Sequence, residues 1–253
     1  MMSPVVIPSI DELLGLRGTH VARLDPEASI GEVSLHPAAA AAFMSLRAEG
    51  SRAGLDLRVV SGYRSFARQL QIWNGKARGE RTLLDDAENE LDATALAPDA
   101  LVLAILRWSA LPGASRHHWG SDFDVVDAAA MPPGVSPGLR VAEYEEGGMF
   151  ARLGCWLELE LREGTMHGFF RPYQGLGAGV AREPWHLSYA PVAAYCEAAL
   201  DVARLRELLA GSGLVLWDAV ETSLELLLQR FSLLGADSYP LAFRPLFDRR
   251  GSA

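Results

Sequence analysis

Ser115-Arg116-His117-His118-Trp119-Gly120-Ser121-Asp122-Phe123-Asp124 sets two imidazoles and two carboxylates between a glycine turn and the apolar run that continues through Val125 and Val126. That run has strand character, and at the two-residue period of a strand Asp122 and Asp124 share one face. Adjacent side chains diverge in extended chain, so His117 and His118 are not expected to bind the same ion. The stretch reads as half of a metal site. Its other half is expected at Glu183-Pro184-Trp185-His186, a third imidazole with a carboxylate three residues earlier. Pro184 biases Glu183 away from the α region, so this is not an HExxH helix, and both side chains must approach from an extended or turned segment. Two histidines and one aspartate supply three protein ligands, the number used by catalytic zinc sites that keep a fourth position for water. The remaining carboxylate can take that water's proton.

Working outward, residues 55–60 alternate and then become β-branched, which predicts a strand delivering Ser61-Gly62-Tyr63-Arg64-Ser65 at its end. Ser65 reads as the cap of a helix over Phe66 to Trp73, with Phe66, Leu70 and Trp73 on one stripe and Gly75 as its stop. That helix can turn Gln69 toward the same pocket as Arg64. An alanine-rich helix is predicted over residues 38–48, closed by Gly50 or Gly54. Residues 74–97 are polar and acidic, as in a surface flap or insertion. Pro98 opens a helix that runs to Trp108. Further helix is expected over residues 143–160, where Gly147-Gly148 is able to split it. Short strands are expected around Phe169-Phe170 and at residues 183–189, and helices over 192–209 and 214–234. Residues 1–34 form a lead-in with one short helix after Ser9.

At 253 residues and 49% hydrophobic, the chain can bury a sizeable core, and no repeat or low-complexity linker divides it. It reads as a single domain over 1–253, with a motif-bearing core at 36–190 and a helical extension at 191–253. A net charge of −9 argues against nucleic acid as a partner. Cys155 and Cys196 lack CxxC spacing and read as two buried thiols. No apolar segment reaches the roughly 20 residues of a membrane span. The N-terminal stretch has no basic start, and Pro4 and Pro8 interrupt its apolar run, so no signal peptide is read. The expected compartment is cytoplasmic, or periplasmic if a leader has been removed.

Ser-x-His-x-x-Gly-x-x-x-Asp at 115–124, Glu-Pro-Trp-His at 183–186, and Ser61-Gly62-Tyr63-Arg64-Ser65 with Gln69 occur in the order of a known family. Together they resemble the VanY-type D-alanyl-D-alanine and L,D-carboxypeptidases, the M15 zinc metallopeptidases, over roughly residues 55–190. The resemblance implies an α+β fold whose small antiparallel sheet carries the zinc site, with helices around it and a helical C-terminal region. It implies Zn2+ on His117, Asp124 and His186, and Glu183 as general base. It places Arg64, Gln69 and Ser115 against a peptidoglycan-derived peptide; Tyr63 and Trp185 are expected to bind substrate as well, Trp185 as a wall for the peptide or as packing that dries the site. Bidentate capture of the peptide's terminal carboxylate is the role that suits Arg64. One departure stands out: Asp122 occupies a position where the family usually has a small residue, often alanine. His167 reads as a structural histidine, with a supporting role near the substrate as the alternative; His20 and His36 receive none. A terminal D-alanine carboxypeptidase is the leading expectation. A wall-lytic endopeptidase of the same fold and a non-catalytic wall-peptide-binding module are the alternatives. Stereochemistry at the scissile bond is read by pocket shape, so D,D and L,D cleavage both fit these motifs.

Overall fold

The computed structural model describes residues 6–246 except Leu176 and Ala178, so the first five residues of the lead-in and residues 247–253 of the helical extension lie outside it. Helix α1 (Ile10–Leu13) is held by Ser9, whose N–H and hydroxyl both donate to the Glu12 carboxylate at 2.7 Å. Strands β1 (Ala22–Arg23) and β2 (Ser34–Leu35) pair as a short antiparallel ribbon. Helix α2 (Pro37–Arg52) starts with proline at its first position and runs past Gly50, where a side chain would collide with Leu57. Next come β3 (Leu57–Ser61) and α3 (Phe66–Ala77), the latter capped by the Ser65 hydroxyl, which accepts the Arg68 N–H at 3.2 Å. Helix α3 does not stop at Gly75; the Arg81 side chain lies over that glycine and uses the space.

The stretch expected as a flap contains the hairpin β4 (Leu83–Leu84) and β5 (Glu90–Leu91), followed by α4 (Pro98–Trp108). Strand β6 (Asp122–Asp127) leads on to α5 (Ala151–Glu163), β7 (Phe169–Phe170) and β8 (His186–Tyr189). Helices α6 (Ala190–Ala198), α7 (Val202–Ala210), α8 (Trp217–Glu221) and α9 (Leu224–Phe231) follow. The helix expected over 143–160 is corrected: a 3-10 turn at Val141–Glu143 precedes the glycine pair, and α5 begins only at Ala151. Gly147 takes φ +86°, and a Cβ on Gly148 would collide with the Ala142 carbonyl, so these two glycines turn the chain.

Strands β3, β6, β8 and β7, in that order, make an antiparallel sheet with helices packed around it, an α+β arrangement. Phe123 is wholly buried, with its ring 5.1 Å from Phe43 and 5.2 Å from Phe169 in edge-to-face contacts. Truncating it to alanine is expected to cost about 3–5 kcal/mol. A second apolar cluster joins Trp73, Ile105, Leu205, Val220 and Leu224, so α7, α8 and α9 pack onto α3 and α4. Cys155 is exposed on α5, which corrects the expectation of two buried thiols; Cys196 is buried, and both are free. Among the described residues no helix is long and apolar enough to cross a membrane.

Candidate metal centre and active-site cleft

The sheet register places the chemistry. Ser61 on β3 pairs with Asp124 on β6, and Asp124 pairs in turn with His186 on β8. Directly opposed residues of antiparallel strands present their side chains to one face about 5 Å apart, so Asp124 and His186 become neighbours although far apart in sequence. His117 arrives from the 3-10 turn Arg116–Trp119 just before β6. Gly120 closes that turn at φ +66°, where a Cβ would collide with Val21 and approach the His36 nitrogen to 2.8 Å. The loop leaving β3 then fixes the imidazole: His117 Nδ1 lies 2.9 Å from the Gly62 carbonyl, and the Arg64 N–H donates to the His117 carbonyl at 3.1 Å. A carbonyl only accepts, so Nδ1 carries the proton and Nε2 presents its lone pair toward Asp124, 3.8 Å away.

Three ligand atoms of His117, Asp124 and His186 lie within 4.8 Å of one another, all on buried residues. His186 Nδ1 is 3.3 Å from Asp124 Oδ1 and 3.3 Å from Glu183 Oε2, while its Nε2 faces Asp122 Oδ1 at 3.2 Å. His186 Nδ1 and Asp124 Oδ1 are nevertheless buried without a satisfactory hydrogen bond. Burial pushes His117 down to about 3, helped by Arg64, so the imidazole is neutral, the form that ligates a metal. Burial also opposes charge on His186, yet Asp122, Asp124 and Glu183 together lift it well above its ordinary value. Three carboxylates converging on one imidazole ask for a cation at that spot. Glu183 itself is raised, by burial and by Asp124, although His186 and Arg64 pull the other way.

The cleft over this group, about 280 Å³, places Arg64, Ser115, His117, Asp124, Glu183, Trp185 and His186 on one wall set. Two residues expected at the peptide, Gln69 and Tyr63, lie outside the lining of this cleft. Gln69 is fully buried behind Arg64: its Oε1 accepts Arg64 Nη1 at 2.9 Å, and its Nε2 donates to the Ala110 carbonyl at 2.7 Å and the Ser109 hydroxyl at 3.1 Å. It holds Arg64 rather than meeting the cleft, as does the Ser61 hydroxyl, which accepts Nη2 at 3.1 Å. Tyr63 points away, its hydroxyl donating to the Arg17 carbonyl at 3.1 Å and its ring set edge-on to His20 at 5.6 Å. Ser115 stays at the cleft, with a buried hydroxyl that has no hydrogen-bond partner among the described residues. Trp185 lines the cleft, 5% exposed, with its ring tilted against that of Tyr144 at 5.7 Å between centroids.

His118 is committed to structure. Its Nδ1 lies 2.5 Å from the Arg64 carbonyl and its Nε2 accepts the Gly113 N–H at 3.0 Å, which uses both ring nitrogens. His167 is exposed, 2.8 Å from Glu49 and away from the cleft. Sequence reasoning missed Arg116, which is buried and serves as a hub. Its Nε donates to Asp122 at 2.8 Å, Nη1 to Glu197 and to the Tyr239 hydroxyl at 2.9 Å each, and Nη2 to the Ser188 hydroxyl at 2.7 Å. Asp122 is thus clamped between Arg116 and His186, with Ser121 Oγ donating at 2.6 Å. Burial would raise its carboxyl, but Arg116 and His186 hold it below the ordinary carboxylate range. Tyr173 was also missed; it lines the cleft with its ring 4.8 Å from His186. Only the strand register and the packing of α6 could reveal either partner.

A small antiparallel sheet carrying a buried His/Asp/His group beside a carboxylate defines a metal-competent site of the three-ligand type. Residues 32–192, well over half of the chain, match the family model described as VanY, D-alanyl-D-alanine carboxypeptidase, and the chain belongs to that family. It is similar to two uncharacterised proteins of Haemophilus influenzae. One is 40% identical over 85 residues, 33% of this chain and 63% of the relative; the other is 43% identical over 77 residues, 30% and 53% respectively. The chain therefore aligns with less than two thirds of the length of each of these relatives. Among solved structures, VanYB in complex with D-alanine-D-alanine is 20% identical, covering 81% of this chain and 90% of that one at a TM-score of 0.47. The LdcB LD-carboxypeptidase is 22% identical, covering 68% of each chain, also at 0.47. A VanY mutant in complex with Zn(II) is 18% identical, covering 78% and 93% at 0.42.

Proposed function

We propose that this chain is a zinc carboxypeptidase that removes the terminal D-alanine from peptidoglycan-derived peptides. The observation that carries the reading is the convergence of two imidazoles, two carboxylates and Arg64 on one cleft. The donor set fits zinc: two imidazole nitrogens and one carboxylate oxygen, with His186 Nδ1 and Asp124 Oδ1 buried without a hydrogen-bond partner among the described residues. His117, Asp124 and His186 would hold the ion. When bound, zinc lowers the pKa of water to about 7 and polarises a carbonyl.

The chain's own residues do the rest. Glu183, 3.3 Å from His186 Nδ1, is placed to take the attacking water's proton and return it to the leaving amine. Arg64, held by Gln69 and Ser61, presents its guanidinium to the substrate's terminal carboxylate, and that anchoring sets the last peptide bond over the ligand group. The Ser115 hydroxyl offers a donor toward the peptide, and Trp185 and Tyr144 keep that wall dry. We read residues 1–253 as one domain, since Tyr239 and Glu197 grip Arg116 beside the ligands.

Incubation with a muropeptide mixture and mass identification of the product tests the assignment. Release of free alanine is expected; release of larger fragments would favour an endopeptidase. Glu183→Ala should keep stoichiometric zinc yet lose about 10²–10⁴ in rate. A variant within a few-fold of wild type would remove Glu183 from the role of base.

A further inference from the structure

Of the 23 lysine and arginine residues in the sequence, one is a lysine, and Lys76 stands in the wall of the cleft. It lies near the end of α3, half-buried, and its ammonium makes no hydrogen bond or ion pair among the described residues. Arg140 lines the cleft from the loop after β6 and likewise makes no ion pair there; its Nη1 donates to the Glu88 carbonyl at 3.2 Å. The Val141 N–H donates to the Glu88 carboxylate at 3.2 Å, so a clasp joins this loop to the β4–β5 hairpin. Both sides of the clasp are strained, with Glu88 at φ +62° and Leu139 at φ +50°, conformations that cost side-chain-bearing residues energy.

The charges in the cleft do not balance. Arg116 is neutralised by Asp122 and Glu197. Asp124 and Glu183 belong to the metal group, where a divalent cation would offset both. Arg64 is matched by the terminal carboxylate of a substrate. Lys76 and Arg140 are then two half-buried cations with no ion-pair partner among the described residues, and partly desolvated cations of this kind are favoured when an anion reaches them. We propose, resting on the carboxypeptidase reading, that Lys76 and Arg140 form a second anion subsite, and that the preferred substrate is a peptide with a second free carboxylate close to the scissile bond. Burial supports the assignment from another side. It pushes Lys76 down to about 8, with Arg64, Arg81 and Arg140 acting in the same direction and Glu183 opposing them, and a bound carboxylate would relieve that strain on the charge.

The lone lysine allows a direct test that does not depend on hydrolysis. Peptides ending in D-alanine are made in pairs that differ only in a side-chain carboxylate or its carboxamide, at the last residue in one pair and at the preceding residue in the other. Wild-type protein is acetylated with acetic anhydride at pH 8 in the presence of each peptide, and the Lys76 segment is quantified by mass spectrometry. In at least one pair the carboxylate member should protect Lys76 at about tenfold lower concentration than its amide, the scale of one charge-assisted contact. The Glu183→Ala protein should show the same protection, because binding precedes chemistry. The ratio of kcat/KM for carboxylate over amide should likewise exceed about ten in wild type and fall toward one in Lys76→Met, with Arg140→Met intermediate. Equal protection by both members of both pairs would overturn the subsite, as would a ratio unchanged by Lys76→Met. If no peptide is hydrolysed but the carboxylate member still protects Lys76, the carboxypeptidase reading fails while the subsite stands.

Discussion

Replacing Arg116 by methionine keeps much of its apolar volume and removes the donors that bind Asp122, Glu197, Tyr239 and Ser188. Glu197 retains the Tyr239 hydroxyl at 2.8 Å and the Gly235 N–H at 3.0 Å, so the main damage falls on Asp122, which is 0% exposed. Its carboxylate keeps His186 and the Ser121 hydroxyl, and must then stay charged without the Arg116 cation or take up a proton. Protonating an ordinary aspartate, pKa about 3.9, at pH 7 costs about 4 kcal/mol, since each pKa unit is worth about 1.4 kcal/mol. This agrees with the roughly 3–5 kcal/mol lost when one partner of a buried ion pair is removed. For a chain of this size about 4 kcal/mol lowers Tm by roughly 8–16 °C. The sign with pH follows. In wild type the depressed Asp122 contributes stability that is present above its unfolded pKa and lost as pH falls below it. In the variant the group is raised instead, so its cost shrinks on acidification, to about 1.5 kcal/mol at pH 5. Thermal melts of both proteins at pH 7 and pH 5 should show the gap narrowing at the lower pH. Adding Asp122→Asn to the variant should recover part of the loss at pH 7. A gap under about 2 °C at pH 7, or one that widens at pH 5, would refute the reasoning.

Asp122→Ala removes the acceptor that orients His186 and should weaken zinc binding by about 10–100-fold, read by competition with a chelating dye. His186→Ala removes a ligand outright, and metal analysis should find zinc lost; full retention would sink the ligand assignment. Arg64→Ala should slow turnover of peptides with a free C-terminus far more than of amidated ones, and Arg64→Lys should rescue poorly, because an ammonium lacks the two-pronged geometry. The preference for a second carboxylate should fade as pH rises through about 8, where Lys76 loses its proton, and a preference unchanged at pH 9.5 would count against that residue.

The periodicity of Phe123-Asp124-Val125-Val126, the proline in Glu183-Pro184-Trp185-His186 and the Ser65 cap are local facts, and local conformational physics follows from them. For that reason β3, α3, β6 and β8 were legible before any contact was known, whereas the choice of His117, with Asp124, Glu183 and His186, came from the family resemblance. Helix ends were less legible. Gly50 and Gly75 sit inside helices, where distant side chains, Leu57 and Arg81, occupy the space a Cβ would take, whereas at Gly147-Gly148 the chain turns, with Gly147 at φ +86° and Gly148 packed on the Ala142 carbonyl. Nor could sequence spacing say that Gln69 lies behind Arg64 or that the Tyr63 hydroxyl faces Arg17, since both side chains had the right chemistry for a cleft. Arg116 shows the limit most clearly: its partners Glu197 and Tyr239 come from α6 and from a turn after α9, and only folding brings them to it. A residue's chemistry is written in its own side chain, but its charge partner and its exposure are set by long-range packing.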